Sequence, residues 1–365
     1  MPVFNLPINN VSFGQVSIGL LKEAFFRKQS GPIFPIGKGD LAHDNFKESF
    51  QSWLNHCLRQ THTQEDTSGK FSVNKNDTTI RLWHLNPESY NALTNHQRLI
   101  SFYELDSPTR LEVDISKRQE KLFLTSEYTC EVFRAAGCDN VEYVPLFFDS
   151  HNFHTTDKTY NKDDSIAFNI VGKFEKRKHP HKILKSWVRK FGDNKKYRLN
   201  CAVYNPHLPQ ENNNALIASA LEGKKYFNVN FLPHMPHNRE YNDFLNSADI
   251  VIGMSGGEGW GLPEFHSVAL GAHAVILNCN GYKSWANKDN ATLVEPTDKI
   301  PAEDGVFFKS SGNTNQGNIF DFNEDDFISA CEESIKKVES NRINTNGQKL
   351  QEQFTVSKTF DKLFE

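Results

Sequence analysis

The chain reads as an α/β protein of two Rossmann-like, doubly wound domains facing each other across a central cleft. Three observations predict this. Short apolar runs alternate with helical stretches along almost all of the 365 residues, the pattern of parallel sheets covered by helices. The length is about twice that of an ordinary domain. The alternation breaks once, over 150–164, a stretch rich in His, Asn, Thr, Lys and Asp, and then restarts. We therefore place an amino-terminal domain at 1–150 and a carboxyl-terminal domain at 165–345.

Each element follows from local pattern. In the first half, strands are predicted over 2–8, 32–36, 79–85, 99–104, 121–126 and 142–147, as short apolar runs bounded by turn formers. Helices are predicted over 15–27, 45–58 and 128–136. In the second half, strands fall over 166–171, 197–204, 227–232, 248–253 and 274–277, and helices over 182–191, 213–221 and 239–246. The stretch 299–321, with scattered Gly, Asn, Ser and Pro, reads as an irregular excursion. Helices over 324–339 and 348–363 close the chain.

One segment stands out chemically. After the apolar run that ends at Gly253 comes Met254-Ser255-Gly256-Gly257-Glu258-Gly259-Trp260-Gly261-Leu262-Pro263-Glu264-Phe265-His266, a glycine-rich turn that carries an acid into a helix start. Pro263 suits the first helical turn, Glu264 its positive end, and Phe265, Val268, Ala269 and Leu270 a buried face. Backbone N–H groups at such a helix start attract phosphate, and the missing side chains at Gly257, Gly259 and Gly261 leave room for a ligand to approach. Glu258 suits hydroxyl groups instead, since an ionised carboxylate only accepts hydrogen bonds. Taken alone, the same turn serves equally as a tight strand-to-helix connection.

A second segment supplies cations. Phe168-Asn169-Ile170-Val171-Gly172-Lys173-Phe174-Glu175-Lys176-Arg177-Lys178-His179-Pro180 again runs from a strand through glycine into a loop. In isolation it is a solvated charge run. Together the two turns bring cations and an acid to the carboxyl ends of two strands, where open α/β sheets bind ligands.

The pair resembles the retaining glycosyltransferases of the GT-B fold, the glycogen-synthase-like, family-four group. There, a G-R-x4-K loop and an E-x7-E segment containing E-G-x-G-L-P hold a nucleotide-sugar donor. The first motif here is Gly172-Lys173-x4-Lys178, with Lys for Arg. The second begins as Glu258-Gly259-Trp260-Gly261-Leu262-Pro263 and ends on His266 where the family has its second Glu, while Glu264 lies two residues early. Asn9-Asn10-Val11-Ser12-Phe13-Gly14 looks like the group's amino-terminal glycine loop, with Gly14 admitting the diphosphate. His84, at a strand end, matches the position of an active-site histidine; a lone His there is equally a loop residue bonded to backbone. Glu104, at another strand end, is the candidate for the acceptor side.

The resemblance implies GT-B architecture, a last helix over about 346–365 that packs back on the first domain, and transfer of a hexosyl or related group with retention. In this reading Glu258, Lys178 and His84 are the catalytic set. Gly14, Lys173, Arg177, Lys178, Glu258, Gly259, Trp260, Gly261, Leu262 and His266 bind the donor. Lysines and helix amides would stabilise the leaving diphosphate, so no metal and no cofactor is expected. Two readings stand beside transfer: an epimerase or phosphorylase of the same fold, and a degenerate domain that binds nucleotide or glycan without turnover.

Composition sets outer bounds. A formal charge of −4, with 38% hydrophobic and 24% charged residues, argues against a general nucleic-acid binder. Six scattered cysteines form no C-x-x-C pair and read as reduced thiols. Neither His179-Pro180-His181 nor His234-Met235-Pro236-His237 has metal-ligand spacing. With no signal peptide and no long apolar span, we expect a cytoplasmic protein, peripheral membrane contact staying open. The expected acceptor is a glycan, a lipid-linked glycan or another hydroxyl compound, as in polysaccharide or lipopolysaccharide assembly. A modified nucleobase is the minor alternative.

Overall fold

The computed structural model describes residues 2–42, 44, 47–63, 73–156 and 164–365. The first unit runs β1 (Val3–Pro7), α1 (Ser12–Phe26), β2 (Ile33–Ile36), α2 (Glu48–Thr63), β3 (Thr78–Leu82), β4 (His96–Ser101), α3 (Arg110–Arg118), β5 (Lys121–Leu124), α4 (Glu127–Ala135) and β6 (Val141–Tyr143). Its sheet has the order β2-β1-β3-β4-β5-β6, with every pair parallel. Strand order reverses between β1 and β3, so that gap is the crevice where such a sheet takes ligands.

The second unit runs β7 (Ile166–Val171), α5 (Pro180–Phe191), β8 (Tyr197–Ala202), α6 (Gln210–Ala220), β9 (Val229–Phe231), α7 (Asn238–Asn246), β10 (Ile250–Gly253), α8 (Leu262–Ala269), β11 (His273–Leu277) and β12 (Thr292–Val294). Its order is β12-β11-β10-β7-β8-β9, again all parallel. The reversal falls between β7 and β10, the strands that lead into the two motifs. All residues of β7 and β10 are buried, as a strand covered by helices on both faces requires.

Four elements differ from expectation. Helix α3 is missing from the sequence reading, although Thr109 and Glu112 form a capping box at its start, a signal visible as T-x-x-E. The three residues of β12 are too few to carry a periodic pattern. The helix expected over 45–58 begins at Glu48, and Asn45 lies outside the described residues, as do 157–163 of the expected linker. The final helix expected over 348–363 is broken into α10 (Thr345–Gln348), α11 (Leu350–Gln353) and α12 (Val356–Phe364). There the carbonyl of Phe354 turns out to accept from Phe148 N, and Thr355 caps α12. Helix α12 lies against α1: Arg27 donates to Ser357 Oγ at 2.6 Å, and Thr359 Oγ1 donates to Pro145 O at 2.9 Å.

The excursion after β12 is ordered. Strands β13 (Lys299–Pro301) and β14 (Asn318–Phe320) form an antiparallel hairpin ahead of α9 (Glu324–Ser340). By sequence it belongs to the second unit, yet it also packs on the first. Lys299 pairs with Asp106 at 2.8 Å, Asn318 N donates to Asp106 at 2.8 Å, and Asn315 N donates to Glu112 at 2.7 Å. Ala302, Phe308 and Ile319 share a core with Tyr103, Leu105 and Ile115. On its other side, Phe320 N donates to Gly256 O at 2.9 Å.

Gly256 is where this strap meets the glycine turn. A Cβ on it would sit 2.0 Å from Phe320 O and 2.9 Å from His179 Nε2, and backbone cannot yield as a flexible side chain would. Gly256→Ala should destabilise the protein by about 1–3 kcal/mol through overpacking, read as a lowered midpoint in urea unfolding. A variant with the wild-type midpoint would show that the hairpin does not brace the turn.

Candidate active site

The carboxyl ends of β7 and β10 face those of β3, β4 and β5 across the cleft. From the second unit come the loop 172–179, whose Lys176–Lys178 segment is a 3-10 turn, and the glycine turn. From the first come His84, Phe102, Glu104 and Thr125. The contact is direct: Thr125 Oγ1 donates to Gly259 O at 2.7 Å, and Arg177 Nη2 lies 3.1 Å from Glu104 Oε1.

Arg177 is the centre of the arrangement. Its guanidinium is buried and meets Glu175 at 3.1 Å, Glu258 at 2.9 Å and Glu104 at 3.1 Å, and it donates to Gly257 O at 2.6 Å. Burial works against its charge, but the three carboxylates outweigh burial and keep it protonated. Lys178 pairs with the same Glu258 oxygen. Burial alone would push the Glu258 carboxyl up; Lys178 and Arg177 reverse this and hold it well below the ordinary range. Glu104 goes the other way, because burial raises it more than Arg177 lowers it.

The remaining expected residues fall into two groups. Lys173 and Lys178 line one small cavity of about 10 Å³ together with Gly172, Ser255 and Glu264. His84 is not part of its lining; it stands exposed on the first unit, its ring 4.6 Å from that of Phe13. Crowding by protein and then the charge of Lys173 hold His84 below the ordinary imidazole range, so it is neutral at pH 7.

The other group sits differently from expectation. Arg177 spends its donors on the protein acceptors Glu175, Glu258, Glu104 and Gly257 O, so it organises the site. The room beside the glycines is filled by protein: a Cβ at Gly259 would meet Phe102 Cβ at 2.8 Å, one at Gly261 the Tyr282 ring at 2.2 Å, and one at Gly14 the Asn9 carbonyl at 2.1 Å. Gly261, with φ +80, is also left-handed at the cap of α8, a conformation that favours glycine. Trp260 is buried against Phe265 and Phe354, and Leu262 opens α8. His266 packs on Phe153 at 4.5 Å and Phe148 at 5.7 Å, where burial lowers its pKa to about 3.

The carboxylate that does reach the cation cavity is Glu264. Its Oε2 and the Tyr282 hydroxyl are both buried without a well-formed hydrogen bond. Position along α8 decides this: residues 264 and 266 are about 200° apart around a helix, so only one of them can face β10 and Lys178. Glu175, Ser255 and Tyr282 also belong to the site and went unread. Glu175 was visible inside the basic loop, whereas Tyr282 arrives on a separate 3-10 turn, Asn280–Ser284, with no sequence signal.

No family model matches the chain, and no curated protein matches it in sequence. Solved structures do match in fold. Sucrose-phosphate synthase from Thermosynechococcus elongatus aligns with a TM-score of 0.65 at 11% identity, over 100% of this chain and 97% of that one. HepE of Anabaena in complex with UDP-glucose gives 0.62 at 11%, over 100% and 98%. WaaG, a glycosyltransferase involved in lipopolysaccharide biosynthesis, gives 0.62 at 10%, over 100% and 98%. The architecture is thus GT-B, two Rossmann-like α/β domains about a cleft.

Glu264 makes the site sensitive to pH. Burial, reinforced by Glu258 and opposed by Lys178, raises its carboxyl to about 7. A carboxyl with a raised pKa favours the folded state when protonated, so this stability is complete below the unfolded value and is lost as pH rises through 7. Glu264→Gln mimics the protonated form. It should melt near wild type at about pH 4.5 and several degrees above it at about pH 8. A difference independent of pH, measured by calorimetry, would remove the titration from Glu264.

Proposed function

We propose that this protein is a glycosyltransferase that moves a sugar from a nucleoside diphosphate, UDP first among those to test, to a hydroxyl group of a glycan or lipid-linked acceptor. The observation that carries the reading is the gathering of Lys173, Lys178, Glu258 and Glu264 at the switch point between β7 and β10 of a GT-B fold. HepE, with the same fold, is solved with UDP-glucose.

In this reading Lys178 and Lys173 bind the diphosphate with the first amides of α8, and stabilise it as charge builds on leaving. These cations supply the positive charge that a divalent ion would otherwise bring, so transfer proceeds without metal. A diphosphate drawn to Lys178 competes with Glu258 for it, which turns the ionised Glu258 toward sugar hydroxyls. Glu264 takes the second carboxylate role in place of His266. His84, neutral and on the facing wall, hydrogen-bonds the transferred sugar or the acceptor. Glu104 acts through Arg177 as a positioning residue. Attack occurs on the face that the diphosphate leaves, the departing phosphate accepts the acceptor proton, and the anomeric configuration is retained.

Two variants test the division of labour. Lys178→Ala should weaken free UDP by about ten- to a hundredfold, the value of a charge-assisted hydrogen bond. Unchanged UDP affinity in the folded variant, measured by calorimetry, would take Lys178 out of the phosphate site.

Glu258→Gln should hold UDP within a few-fold of wild type and lower transfer, or slow donor hydrolysis, far more strongly. If its turnover equals wild type, Glu258 does not serve the sugar.

A further inference from the structure

Far from the cleft, the amino-terminal ends of β8 and β9 carry a surface with a character of its own. Two turns, 192–196 and 222–228, lead into these neighbouring strands. Each brings a lysine pair followed by an aromatic residue: Lys195-Lys196-Tyr197 and Lys224-Lys225-Tyr226. The turns are joined by hydrogen bonds. Phe227 N donates to Asp193 Oδ1 at 3.1 Å, Asp193 N donates to Asn228 Oδ1 at 3.0 Å, and Asn228 Nδ2 donates to Asn194 O at 3.1 Å. The four lysines are therefore carried along one edge.

These charges are unspent. All four lysines are exposed, and among the described residues their ammonium groups make no ion pair. The cations next along α5 differ: Lys185 pairs with Glu222 at 3.3 Å and Arg189 with Asp325 at 3.0 Å. Amid the lysines stands Phe227, 62% exposed, the most exposed of the large apolar side chains among the described residues. The fold gains nothing from a phenyl ring held in water.

We propose that this edge docks on an anionic lipid surface. Four unpaired lysines in a chain of formal charge −4 are drawn to negative headgroups, and an exposed Phe can enter the boundary between headgroups and acyl chains. A DNA duplex would satisfy the lysines but offers no unstacked base for the ring. The six residues of β8 separate this edge from the Gly172 end of the sheet by about 20 Å. Docking thus leaves the cleft open and facing away from the surface, so the contact tethers the protein without blocking its cleft. The inference does not depend on the reading of the cleft.

Co-sedimentation of the full chain with vesicles tests it. Wild-type protein should bind vesicles containing phosphatidylglycerol, ignore phosphatidylcholine alone, and be released by salt. Combining Lys195→Glu with Lys225→Glu should lower the partition coefficient about tenfold or more. Phe227→Ser should weaken binding at every salt concentration while melting like wild type. The proposal is overturned if wild-type protein does not bind phosphatidylglycerol vesicles, if the variants bind as wild type does, or if they lose affinity for duplex DNA with vesicle binding unchanged.

Discussion

The buried guanidinium of Arg177 is the interaction on which the rest of the site depends. It draws one carboxylate from its own loop, Glu175, one from the glycine turn, Glu258, and one from the other domain, Glu104. A cation this far from water is tolerated only when paired and hydrogen-bonded, and removing one partner of such a network typically costs about 3–5 kcal/mol. The loop, the turn and the wall of the first domain are thus fixed by a single group. Lys178 adds a second positive charge against Glu258. Glu104, raised by burial, offsets part of the negative excess by holding a proton more readily than an exposed acid.

This knot changes what the glycine turn is for. Glycine before a helix suggests open backbone for a phosphate, and that expectation is sound as local chemistry. Here the hydrogen atoms of Gly256, Gly259 and Gly261 face Phe320, Phe102 and Tyr282 at distances no Cβ could meet. The turn is glycine-rich because three other segments converge on it. The open space lies instead on the side of the turn nearest Gly172, where Lys173, Lys178 and Glu264 line one cavity.

Much of this was legible before the fold was known. The strands read well because β7 and β10 are buried on both faces, which forces unbroken apolar runs. Lys178 and Glu258 stand out because each sits in a short local motif, and the structure brings the two side chains together. The carboxylates around Arg177 are not legible, since nothing local says that Glu258 and Glu104 will reach it. His266 was favoured over Glu264 by motif position, but the phase of α8 is set by the left-handed Gly261 and by packing on Phe148 and Phe153. The hairpin 299–320 reads as irregular because its order comes from Asp106 and Glu112, about two hundred positions earlier.

That hairpin also redraws the modules of the chain. Segment 299–320 is encoded within the second half, yet its apolar side completes the core around Tyr103 and Leu105. Helix α12 likewise follows the second half and rests on α1. A chimera made by a single crossover near 150–165 would therefore join a first domain to a strap and a tail shaped for another partner. Recombination among proteins built this way would succeed only if three separated segments travelled together, so this architecture resists the simple exchange of halves that two sheets and one linker seem to invite.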